Sequence, residues 1–172
     1  MDPVTVVGVT LKTLDLVHKK REGTLGRKEA QQLYLRIFCC LLWEIQQNMH
    51  RSKGIVTKAK NTPPQISAGV LSFFVRDALF SDFCIMCPEP EMVAGVNEIY
   101  AALERIHHWQ RVTYDLNTAP AKFILGFANS LFADHGVHEK YNGFVDTLRD
   151  LCKEIRISGQ VRRPPKITAP KL

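Results

Sequence analysis

The chain lacks most of the features that would point directly to a function. No run approaches the ~18 uncharged apolar residues of a membrane span. The longest, Ile37 to Trp43, is closed off by Arg36 and Glu44. Met1-Asp2-Pro3 is not the basic start of a secretory leader. The five cysteines are odd in number, and Cys39 and Cys40 are adjacent, which argues against a disulfide framework. Reduced thiols and a cytoplasmic location are therefore expected. Gly-x-Gly-x-x-Gly, the phosphate-binding Gly-Lys-Ser/Thr loop and Gly-x-Ser-x-Gly are missing. So are a His-Asp dipeptide and an Arg-x4–6-His pair. These absences weigh against an enzyme reading, and no cofactor is expected.

What is present is ordinary globular composition. The chain has 172 residues, 45% apolar and 23% charged, enough for one domain with a real core. The formal net charge is +6. Arg51, Lys53, Lys58 and Lys60 fall in one acid-free stretch, and Arg162, Arg163, Lys166 and Lys171 in another. These eight charges exceed the net charge, so the remainder sums to −2. The basicity is concentrated in two segments, which is a poor basis for a nucleic-acid groove across the body.

Helical periodicity is clear in three places. Val137, Tyr141, Phe144, Val145, Leu148, Leu151, Cys152 and Ile155 form one stripe, with Gly136 before it and Gly159 after it. Met92, Val96, Ile99, Leu103 and Ile106 form another within 91–115, after Pro88 and Pro90. Residues 28–51 are apolar nearly all round, as expected of a central helix. Val4, Val7, Leu11 and Leu14 fit a helix over 4–20, although their β-branched content also permits a strand. Residues 65–86 and 119–133 read as shorter helices, and 52–64 as a loop containing Gly54 and Pro63-Pro64. The expectation is an all-α bundle of five or six helices over 1–157, followed by a flexible basic tail over 158–172.

Several constellations can be weighed for chemistry. Cys84-x-x-Cys87 has zinc-ligand spacing, and His135 and His138 could complete four ligands. Apolar neighbours make buried thiols the commoner outcome. Asp15-x-x-His18 and Glu104-x-x-His107 resemble half of a two-metal helical site, with Glu44 and Asp77 as further carboxylates. In His107-His108-Trp109, one histidine must face away from the core, because helical neighbours lie ~100° apart. Glu44 and Asn48 sit one turn apart near the apolar face of the central helix, and if buried they must find partners.

The leading expectation is a non-enzymatic interaction or adaptor module within a larger assembly. In overall look the chain is similar to small helical signalling domains, including those attached to immune-type proteins. Its contact surface would be Arg51, Lys53, Lys58, Lys60, Arg162, Arg163 and Lys166, meeting a protein partner with an acidic surface. The alternatives are a metal-dependent helical enzyme using Asp15, His18, Glu44, Glu104 and His107, and association of the basic segments with nucleic acid or an anionic membrane.

Overall fold

Five helices account for most of the chain: α1 (Pro3–Arg21), α2 (Arg27–Ala59), α3 (Phe74–Met86), α4 (Pro90–Leu116) and α5 (Val137–Glu154). The structure is a computed structural model and describes residues 3–59, 71–116, 130–155 and 164–167. Residues 130–134 are also helical. There is no strand among the described residues, and the architecture is an all-α bundle.

The central element is α2. Residues 37–45 are buried without a break, Glu44 included. A helix buried on all sides must be covered on all sides, and α1, α3, α4 and α5 each pack against it. Its start is fixed by Glu29, whose carboxylate accepts the Gly26 N–H at 2.9 Å, one half of a capping box. α4 and α5 bury the stripes expected of them: Met92, Val96, Ile99, Leu103 and Ile106 on one, Val137, Tyr141, Val145, Leu148 and Cys152 on the other. Gly95 lets the two approach, since a Cβ there would lie 2.6 Å from the Phe144 ring. Gly136 immediately precedes α5, and its φ of +55° suits glycine.

Several boundaries differ from the expectations. α2 continues to Ala59 through the presumed loop at 52. Gly54 costs only about 1 kcal/mol relative to alanine, too little to end an otherwise favourable helix. Residues 4–20 lie in a helix, but Leu11 is 56% exposed, and Thr10, Thr13 and Val17 are buried instead. Threonine can face the core here because Thr13 returns its hydroxyl to the Val9 carbonyl at 2.8 Å. α3 starts at Phe74, nine residues later than the stretch beginning at 65. Most of the expected helix at 119–133 lies outside the described residues.

Only part of the expected tail is described. Pro164–Ile167 lies against α5, with Pro164 buried and Ile167 packed on the core. The other residues of 158–172 are outside the described set.

Leu148 is fully buried mid-way along α5. Leu148→Ala is expected to destabilise the fold by roughly 2–5 kcal/mol, the range for truncating a core leucine. Denaturant unfolding measures it, and a loss below about 0.5 kcal/mol, typical of surface sites, would contradict this packing.

Candidate functional site

A buried polar cluster forms where α3 meets α2. A helix start leaves backbone N–H groups without partners and carries partial positive charge. Glu44 supplies the missing acceptor from α2. Its Oε1 accepts the Val75 N–H at 2.7 Å, and its Oε2 accepts the Arg76 N–H at 3.0 Å and the Tyr100 hydroxyl at 3.0 Å. One turn on, the Asn48 amide grips the backbone of Ser72 twice. Its Nδ2 donates to the Ser72 carbonyl at 2.6 Å, and its Oδ1 accepts the Ser72 N–H at 3.0 Å. Both residues are buried, and they hold the chain that leads into α3.

Arg76 closes the cluster from outside. Its guanidinium pairs with Glu104 and with Asp77, and lies 4.8 Å from the centroid of the Phe73 ring. Burial pushes the Glu44 carboxyl above its usual range, against the pull of the Val75 and Arg76 N–H groups and the Tyr100 hydroxyl. Burial, followed by the Glu44 charge, drives the Tyr100 hydroxyl well above its ordinary value. Val75, Arg76 and Tyr100 all donate to Glu44 from within the fold, so this cluster anchors α3.

The residues considered for metal binding are dispersed. Asp15 pairs with Lys19, and His18 with Glu22, on the exposed side of α1. Glu44 lies beneath α3, Glu104 faces Arg76, and the His107 ring meets Phe73 edge-on at 5.7 Å. Among the described residues no three His, Cys, Asp or Glu side chains are placed to hold a metal ion. Cys84 is exposed, whereas Cys87 is half-buried, with its thiol 3.6 Å from the Tyr34 hydroxyl. His138 sits edge-on to Phe132, and His135 lies beside Arg105. All five cysteines are free thiols. Burial pushes Cys40 up to about 11, as its neighbours Thr13 and Thr10 pull the other way.

Of the basic residues expected to form a contact surface, Arg51 is half-buried near the end of α2. The side chains of Lys53 and Lys58 are not among those described, and Lys60, Arg162 and Arg163 lie outside the described residues. Lys166 is engaged with the protein itself, pairing with Asp146 of α5 at 2.7 Å.

That ion pair belongs to a second constellation, which the sequence did not reveal. The Asn142 amide bonds both backbone groups of Ile167, donating to its carbonyl and accepting its N–H, each at 2.9 Å. The Tyr141 hydroxyl donates to the Pro165 carbonyl at 3.0 Å. Asp146, which also pairs with Arg149, takes the Lys166 ammonium. Thus three residues within two turns of α5 read the main chain and one charge of a segment that carries Pro164-Pro165. Proline has no N–H and restricts its own φ, so the main-chain contacts of the segment are made through the Pro165 carbonyl and both backbone groups of Ile167. The only trace in the sequence was Asn142 at the border of the α5 stripe, a position where any polar residue would look ordinary.

Glu44 makes a pH-dependent contribution whose sign follows from its raised pKa. The folded state holds the proton more tightly than the unfolded chain, so this contribution is present below the ordinary glutamate value of ~4.3 and is lost as pH rises through the folded value. Glu44→Gln keeps the shape but offers one acceptor fewer, leaving an N–H at the α3 start unpaired at a cost of about 1–3 kcal/mol. The stability gap between wild type and Glu44→Gln is expected to narrow as pH rises from ~4 towards 7. Thermal melts across that range test this, and a widening gap would contradict the burial of the carboxylate.

Comparison with protein-family models, with curated proteins and with solved structures finds no match to this chain.

Proposed function

We propose that the chain is a non-enzymatic interaction module that works within a larger assembly by reading a segment of polypeptide on α5. The observation that carries this is the two-sided grip of Asn142 on Ile167. A side-chain amide that pairs with both the N–H and the C=O of one residue acts as a neighbouring strand would, and main-chain pairing of this kind recurs in peptide recognition. Tyr141 adds a second main-chain bond, and Asp146 adds a charge preference for lysine. Pro164 and Ile167 supply the apolar part, set against the core.

This reading modifies the expectation that basic residues seek an acidic partner. The one described ion pair of the basic tail places the acidic group on the bundle, so the protein carries the acceptor and the ligand carries the lysine. The preferred partner is then a protein presenting a proline followed by lysine and an aliphatic residue, in place of nucleic acid or a membrane.

A charge swap at Asp146 tests it. Two peptides are used, Arg-Arg-Pro-Pro-Lys-Ile-Thr-Ala and the same peptide with glutamate for lysine. The full chain carrying Lys166→Glu retains Asp146 and is expected to bind the lysine peptide at least about tenfold more tightly, a difference of ~1.4 kcal/mol. The full chain carrying Asp146→Lys is expected to reverse that order. Fluorescence anisotropy reads both. Saturable binding without reversal, or no binding to either variant, would overturn the reading.

A further inference from the structure

We infer that Pro164–Ile167 is a built-in competitor, which occupies in cis the site that a partner's proline–lysine–aliphatic peptide takes in trans. The inference rests on the reading of α5 as a peptide-binding face and adds to it the regulation of that face.

Three observations lead here. First, the docked residues make contacts that do not depend on being part of the same chain. The bonds run from side chains of α5 to main-chain atoms of Pro165 and Ile167 and to the Lys166 ammonium. A separate peptide with the same residues presents the same groups. Second, the tether permits the contact. From the end of α5 at Ile155 back to Asn142 is ~20 Å along the helix axis. The chain from Ile155 to Pro164 can span up to about 30 Å. Third, Asn142 and Asp146 are half-buried, and Pro165 and Lys166 remain exposed. The segment lies on the outside of α5, and its departure would uncover only the surface that Pro164 and Ile167 cover, which a peptide with the same residues would cover again.

A tethered ligand acts at an effective concentration on the order of millimolar. It therefore blocks weak ligands and yields only to a partner that binds more tightly or is itself presented at high local concentration. Release would follow any change that removes the lysine charge or one main-chain bond.

The test compares full-length proteins. Lys166→Glu with Ile167→Pro removes the charge and the N–H that Asn142 accepts, leaving α5 unchanged. Circular dichroism and a thermal melt establish that the double variant is folded. The labelled lysine peptide is expected to bind it at least about tenfold more tightly than it binds wild type, ~1.4 kcal/mol. Adding Asn142→Ala to the double variant is expected to abolish that binding. A second variant leaves every contact intact: ~24 Gly/Ser residues inserted after Ser158 should lower the effective concentration several-fold and raise the trans affinity correspondingly. Equal affinity for wild type, the double variant and the insertion variant would overturn cis competition while leaving the peptide-binding reading standing. No binding to any of them would overturn both.

Discussion

The arrangement depends on α2 having no side left for water. Its residues 37–45 are buried on every face, so the other helices are placed by the need to cover it. One of those nine residues is a carboxylate. A buried Glu44 without donors would cost several kcal/mol, far more than one well-packed side chain returns. The start of α3 resolves this, because its unpaired N–H groups need an acceptor as much as Glu44 needs donors. Each group is unfavourable inside alone, and together they fix where α3 begins and on which face of α2 it lies. Tyr100 brings α4 into the same cluster, and Arg21 ties the end of α1 to buried Asp82 on α3. The apolar surface of α2 sets how many neighbours it needs. Glu44, the one acidic residue within 37–45, sets the position of one of them.

This division explains what could be read from the sequence. The stripes of α4 and α5 and the all-round apolar character of α2 are properties of single segments, visible as spacing. The features that were missed come from contacts between segments. Nothing within 65–86 marks Phe74 as the start of α3; Glu44 and Asn48, about thirty residues earlier, do so. On α1 the apolar residues Val4, Val7, Leu11 and Leu14 suggested one face. The buried face instead includes Thr10 and Thr13, and the Thr13 hydroxyl finds an acceptor one turn back. The burial of Glu44 and Asn48 stood open as one of two outcomes, because a polar pair at the edge of a stripe reads the same whether solvent or another helix lies opposite. The α5 site was not legible at all, since Asn142 and Ile167 are 25 residues apart and neither is unusual where it stands.

The fold uses the same asparagine device twice. Asn48 holds both backbone groups of Ser72, and Asn142 holds both backbone groups of Ile167. The surroundings separate their roles. Asn48 is fully buried beside Glu44, and its partner leads directly into a packed helix, so losing it would expose the interior. Asn142 is half-buried, and its partner belongs to a short segment with no regular structure. The first clamp is set within the cooperative core, while the second can open by itself.

Magnitudes indicate how readily it opens. Fixing four residues costs about 4–8 kcal/mol of backbone entropy, somewhat less where proline already restricts φ. The three hydrogen bonds return about 0.5–1.5 kcal/mol each. The Lys166–Asp146 pair, partly exposed, returns about 0–1 kcal/mol. Burying Pro164 and part of Ile167 adds about 2–4 kcal/mol. The middle of these ranges leaves the docked segment favoured by only about 1–2 kcal/mol, which places this contact at the low end of the range of local stabilities within one protein. A docked segment that is only marginally stable still excludes weak ligands, because it occupies the site for most of the time. It does not exclude a peptide that makes the same contacts and one or two more. Near-balance of this kind is the physical condition for a contact that can be exchanged.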